Sequence, residues 1–180
     1  WQGRWASRGV GRPAEGVAVT GAATRMAAPG AASYVGGFGS EVIKSEQPGI
    51  GDRQRRWGTK KNGVALMWKS LSRNKRSLTL DLRKPNGAEI FRRLIETADV
   101  LIENFRPGTL ESWGLGPDVL LAVNPRLVVL RVTGYGQTGP YRSQPGVGTV
   151  AEGFSGFAHV VGQEGGRPTL AHLPLGAGVA

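Results

Sequence analysis

The hydrophobic and polar positions of this chain switch repeatedly between two periods. Short apolar runs at 16–20 (GVAVT), 40–46 (SEVIKSE), 99–104 (DVLIEN) and 126–133 (RLVVLRVT) predict strands, the last two of the fully buried kind. Over 76–82 (RSLTLDL), Leu78, Leu80 and Leu82 alternate with Ser77, Thr79 and Asp81, the two-residue period of a strand with one apolar face. Between these runs the period lengthens. The stretch 84–98 (KPNGAEIFRRLIETA) places Ile90, Phe91, Leu94, Ile95 and Ala98 on one helical stripe, and Asn86 with Glu89 resembles a capping box. A weaker, glycine-rich helix is predicted over 26–39, with Pro29 in its first turn, and a short one over 116–124 that stops at Asn124-Pro125. Residues 47–70 read as an extended basic loop, 134–148 as a glycine-rich loop, and 149–158 as a further helix.

Strands separated by helices imply right-handed crossovers and an α/β fold with an open, mostly parallel sheet. In such sheets ligands sit beyond the carboxyl ends of the strands. The segments falling there are SEQPG, DLRK, ENFRPG and TGYGQTG, which parallel geometry gathers on one edge. Three of them offer Lys, Arg or open backbone amides, the groups that phosphates require.

Composition narrows the classes. With 39% hydrophobic and 20% charged residues in 180, the chain has a globular profile and the length of one domain. There is no cysteine, which removes disulfides, thiolate metal sites and a cysteine nucleophile. His159 and His172 are too far apart for local metal spacing, so no metal is expected, and no apolar run is long enough to span a membrane. The formal net charge of +10 suits a polyanionic partner, either a phosphorylated cofactor or nucleic acid, and equally suits part of a longer chain whose acidic portion lies elsewhere. Residues 1–14 carry Arg4, Arg8 and Arg12 without an acid and are expected to form a disordered basic leader.

Two motifs are incomplete. GYGQTG (134–139) fits a dinucleotide fingerprint literally, but Pro140 follows where a helix should open, and no acid stands at the ribose distance; it reads as a turn-rich loop. GFSGF (153–157) has Phe157 where a nucleophile elbow needs Gly, and no strand precedes it. SRNKRS (72–77) and RQRRW (53–57) read as solvated basic turns; Trp57 either stacks on a base or plugs a core. ENFRPG (103–108) carries the sharpest local signal. Asn104 donates and accepts, Phe105 stacks, and Arg106 suits a phosphate, against a plain strand end with a Pro-Gly turn.

Five blocks in order, SEVIKSEQPGIGDRQRRWG, SRNKRSLTLDLRKPNG, ADVLIENFRPGTLESWGLG, NPRLVVLRVTGYGQTGPYRSQPG and GTVAEGFSGFAH, resemble the class III CoA-transferases, the family that includes formyl-CoA transferases and α-methylacyl-CoA racemases. The resemblance runs from about residue 15 to the end. It implies a Rossmann-like large domain, truncated here to its N-terminal part over 15–180, and an interlocked homodimer for a full-length chain. The substrates implied are coenzyme A, as its acyl thioester, and a carboxylic acid. Coenzyme A contacts are implied at Met26, Ala27, Gln47, Leu80, Asp81, Leu82, Arg83, Asn104, Phe105, Arg106, Pro145, Gly146 and Val147. A cytoplasmic location is expected, or the mitochondrial matrix if the basic leader is a transit remnant.

The family chemistry uses an aspartate that attacks the acyl thioester, giving a mixed anhydride and then an aspartyl-CoA thioester. By resemblance that aspartate falls in a stretch like PLADGVAG; this chain reads PLGAGVA, with Ala177 in its place. Ser112 and Gly148 stand where some members carry a basic and an acidic residue. The resemblance therefore implies acyl-CoA binding without the nucleophile. A racemase-like enzyme and a non-catalytic basic module for nucleotides or nucleic acid are the alternatives.

Overall fold

A computed structural model describes residues 11–171 and 175–178. Five parallel strands form the main sheet: β1 (Ala18–Ala22), β2 (Glu41–Glu46), β5 (Lys75–Thr79), β6 (Val100–Glu103) and β7 (Val128–Arg131). Their spatial order is β5-β2-β1-β6-β7, so the chain winds outward from β1 in one direction and then returns to build the other half. The reversal places a topological switch point between β1 and β6, where Ala22 is level with Glu103. Between β2 and β5 lies a two-stranded antiparallel excursion, β3 (Lys60–Lys61) with β4 (Val64–Ala65), leading into helix α2 (Leu66–Leu71).

Helices cover both faces. On one side α1 (Ala27–Gly37) lays Ala28 and Ala32 against Val19, Val42 and Ile102. Its small residues permit close approach to the sheet, which offsets the weak intrinsic helix propensity of its glycines. On the other side α3 (Pro85–Ile95), α4 (Thr109–Ser112) and α5 (Pro117–Val123) enclose Phe91, Ile95, Leu101, Leu110, Leu115 and Leu120, all fully buried. Leu101 and Ile102 are consecutive yet enter opposite cores, as the strand period requires. The described chain continues with α6 (Gly148–Phe154), α7 (Phe157–Val160) and α8 (Leu175–Gly178).

The α/β fold and its mostly parallel sheet match expectation; several local readings do not. Helix α3 has no capping box: Lys84 is its N-cap, with Pro85 just inside, and Glu89 pairs instead with Arg92 at 2.9 Å. The rigid φ of Pro85 sets the helix start, which moves Asn86 inside the first turn. Ile90 is exposed, because it lies about 100° around the helix from Phe91 and outside the face made by Gly87, Ala88, Phe91 and Ile95. Residues 47–70 are not one extended loop but a 3₁₀ turn (Arg53–Arg56), the small hairpin and α2. The expected strand over 76–82 ends at Thr79. Strand β7 is an edge strand whose Val128 and Leu130 are exposed, not a fully buried one. The helix expected over 149–158 is two short ones, separated at Gly156 with φ 78°. The leader's residues 1–10 lie outside the described residues, while Ala14 N donates to Phe38 O at 3.1 Å, fastening the start of the described chain to the end of α1.

Candidate functional site

The carboxyl ends of β1, β2, β5 and β6 open on one edge, and the segments that follow carry the sequence-predicted contacts. Met26 and Ala27 join β1 to α1, Gln47 follows β2, and Leu80–Arg83 follow β5, with Leu80 N donating to Glu46 O at 2.8 Å. Asn104–Arg106 follow β6. The distant loop at Pro145–Val147 is brought back to the same edge by an unusually close crossing of backbones. A Cβ built on Gly134, just beyond β7, would lie 2.4 Å from Gly146 Cα, so both positions require glycine. The next residue but one continues the chain of approaches: a Cβ on Gly148 would lie 2.8 Å from Ala177 N. Ala177 is thus placed beside the loop at 145–148, on α8, which packs on α6 and touches α1.

Individual side chains are held in ways that the sequence did not disclose. Asn104 grips the β1–α1 turn from across the switch point: Thr24 N donates to its Oδ1 at 2.9 Å and its Nδ2 donates to Thr24 O at 2.7 Å. Phe105 packs edge-on to Trp113, with ring centroids 5.1 Å apart, against the larger core. Arg83 is already engaged, its Nε and Nη2 both donating to Asp81 at 2.8 Å. That hydrogen-bonded guanidinium holds the Asp81 carboxyl down at about 2. The Arg106 side chain is exposed and makes no hydrogen bond or ion pair among the described residues, while its carbonyl accepts from Thr109 N at 3.0 Å. Trp57 is exposed, so it plugs no core; Trp68 instead lies under Arg55, 4.0 Å from ring centroid to guanidinium carbon.

A buried polar network underlies this edge. Lys44 Nζ lies 2.7 Å from Asp52 Oδ2 and donates to Ala23 O at 2.7 Å. Asp52 Oδ1 accepts from Arg25 N at 3.1 Å and from Gln54 N at 2.9 Å. Glu46 accepts from Asp52 N, from Ser77 Oγ and from two nitrogens of Arg55. Burial alone would raise the Glu46 carboxyl, but those hydrogen bonds outweigh it and hold the group at about 2. Lys75 is pushed down to about 8, chiefly by burial and then by the neighbouring Lys44 charge. Across the sheet, the fully buried Glu103 is pushed up by burial, although Arg131 Nε donates to it at 2.6 Å. Arg131 reaches on to Glu111 at 2.8 Å.

Lys44, Asp52, Glu103 and Arg131 were not among the predicted site residues. The one signal in the sequence is a lysine in a strand otherwise suited to burial, which demands an acid partner. Glu152, in α6, is buried and accepts from Gly176 N at 2.8 Å and from Ala171 N at 3.4 Å, which ties α6 to the turn carrying Ala177.

The parallel sheet, wound in both directions from β1 with its switch point between β1 and β6, defines an open, doubly wound α/β fold. The chain belongs to CoA-transferase family III, whose model matches residues 15–180. It is 55% identical over 157 residues to the succinyl-CoA–L-malate CoA-transferase beta subunit of Chloroflexus aurantiacus, covering 87% of this chain and 39% of that protein. It is 37% identical over 172 residues to succinyl-CoA:glutarate CoA-transferase of Homo sapiens, covering 93% of this chain and 39% of that one. Among solved structures, a CAIB/BAIF family protein from Brucella suis superposes with a TM-score of 0.88 at 34% identity, over 94% of this chain and 47% of that one. An aspartate-to-alanine variant of a Mycobacterium tuberculosis protein superposes with a TM-score of 0.82 at 36% identity, over 93% and 45%. The chain therefore spans about two fifths of the length of these curated relatives and under half of the solved chains.

Proposed function

We propose that this chain binds coenzyme A, as the acyl thioester, along the carboxyl edge of its sheet, and supplies that binding surface to an acyl-CoA:carboxylate CoA-transferase. The observation that carries the reading is the convergence of Met26–Ala27, Gln47, Leu80–Arg83, Asn104–Arg106 and Pro145–Val147 on one edge of a family III fold. Arg106 and the remaining Nη1 of Arg83 suit phosphate oxygens. The turn at Met26–Ala27 and the loop at Pro145–Val147 present backbone amides to the pantetheine arm. The relatives' names share succinyl-CoA as donor and dicarboxylic acids as acceptors, so a dicarboxylic acyl group is the proposed cargo. A second copy of a longer chain is the proposed partner.

In the reaction, a carboxylate attacks the thioester carbonyl, the C–S bond breaks, and the CoA thiolate leaves; a mixed anhydride remains for the thiolate to reopen. Ala177 stands at the proposed position of that carboxylate and has none to offer. Glu152 is not a substitute, because both of its oxygens accept backbone N–H groups. The chain is thus proposed to bind acyl-CoA without transferring it. The purified chain should hold CoA in a saturable titration but show no exchange of CoA between succinyl-CoA and labelled succinate. Arg106→Ala, which removes an exposed side chain without a partner among the described residues, should lower CoA affinity about tenfold with an unchanged melting temperature. Exchange by the purified chain would refute the role given to Ala177, and an unaltered CoA affinity in Arg106→Ala would refute the proposed phosphate contact.

A further inference from the structure

The turn from β1 to α1 is fixed one residue at a time by three side chains from elsewhere in the fold. Lys44 holds Ala23 O, Asn104 holds both Thr24 N and Thr24 O, and Asp52 holds Arg25 N. Lys44 and Asp52 are each more than nine-tenths buried. The backbone they hold is strained: Arg25 has φ 66°, the left-handed region that a side chain with a Cβ avoids. A glycine would occupy this position without strain, so an arginine here carries a local conformational cost.

The Arg25 side chain is exposed, and no hydrogen bond or ion pair to its guanidinium is present among the described residues. Three arginines lie in the segments that follow β1, β5 and β6. Arg83 is held bidentately by Asp81, and Arg106 stands on the far side of the switch point, after β6. Arg25 follows the central strand and directly precedes Met26, the N-cap of α1, the helix that touches α8, the element carrying Ala177. The relatives handle succinyl, malate and glutarate groups, each of which carries a second carboxylate that a thioester leaves free. A planar guanidinium on a rigid backbone is the side chain best matched to that group.

We infer that Arg25 recognises the free carboxylate of a dicarboxylic acyl or acceptor group, and that Lys44, Asp52 and Asn104 are the positioning residues that aim it. The inference rests on the reading of this edge as an acyl-CoA site. Its test compares succinyl-CoA, butyryl-CoA and free CoA as ligands of the full chain, in wild type, Arg25→Gly, Arg25→Met and Arg25→Lys. Succinate and butyrate, each added to the CoA-saturated chain, form a second arm. Arg25→Gly removes the guanidinium and the backbone strain together, so its melting temperature should equal or exceed that of the wild type.

The wild type should prefer succinyl-CoA to butyryl-CoA about tenfold. Arg25→Gly and Arg25→Met should abolish that preference while free CoA binds within about twofold of the wild-type affinity, and Arg25→Lys should restore part of it. If the preference appears only in the succinate arm, the carboxylate recognised is that of the acceptor. Equal loss of succinyl-CoA and free CoA binding would make Arg25 a phosphate contact and overturn the inference. An unchanged preference in Arg25→Gly would overturn it as well, with the CoA site intact. No saturable binding of any CoA species would remove both the inference and the proposed function.

Discussion

Arg131 is the residue on which the β6–β7 half of the sheet depends electrostatically. It bridges Glu103, which is fully buried, and Glu111, which is partly exposed. Removing one partner of a buried pair leaves an uncompensated charge, so Arg131→Met should cost about 3–5 kcal/mol in urea unfolding. Adding Glu103→Gln should recover a substantial part of that loss; an additive double variant would show that the two residues do not act as a pair. Glu46 makes a separate prediction in pH. Its folded carboxyl sits at about 2, below the ordinary value of 4.5, so it stabilises the fold fully above about pH 4.5 and loses that contribution as pH falls toward 2. The destabilisation of Glu46→Gln relative to the wild type should therefore be largest near neutral pH and shrink through this window. A difference that is constant from pH 7 to 3 would contradict the assignment.

At the scale of elements, the sheet was legible because its strands carry their own signal. Leu101 and Ile102 in β6, and Val42 in β2, belong to apolar runs that need no knowledge of neighbours. What stayed hidden was set by partners far along the chain. The pairs Lys44–Asp52 and Glu103–Arg131, and the grip of Asn104 on Thr24, join residues from different elements, and no local period encodes them. Asn104 was legible as a polar strand end, but whether its amide faced a ligand or the backbone depended on β1 being its neighbour.

The start of α3 shows a local rule losing to another: Asn86 had a capping pattern, yet Pro85 fixed the helix start. The loop at Pro145–Val147 shows the reach of backbone contact. Gly146→Ala would drive a Cβ to 2.5 Å from Gly134 Cα, so the loop must move away from the end of β7. A loss of about 1–3 kcal/mol in stability is expected, with weaker CoA binding, whereas Gly136→Ala in the same loop would meet no atom within 4 Å and is strained only by its φ of 78°. Equal CoA affinity in wild type and Gly146→Ala would separate this loop from the site.

For the molecule as a whole, the winding order β5-β2-β1-β6-β7 decides where chemistry can collect. It puts the β1–α1 turn and the β6 segment on either side of the switch point, and the buried network ties the β1–α1 turn to β2 and to Asp52. The net charge of +10 admits two classes of anionic ligand, coenzyme A and nucleic acid, and the proposed site at the switch-point edge suits the first. The direct test is a titration of the purified chain with CoA and, in parallel, with a single-stranded oligonucleotide, each at low and at physiological salt. Saturable binding of one CoA per chain that persists at physiological salt is expected, with oligonucleotide binding that is weak and collapses as salt rises. Saturable oligonucleotide binding at physiological salt with no measurable binding of CoA would contradict it.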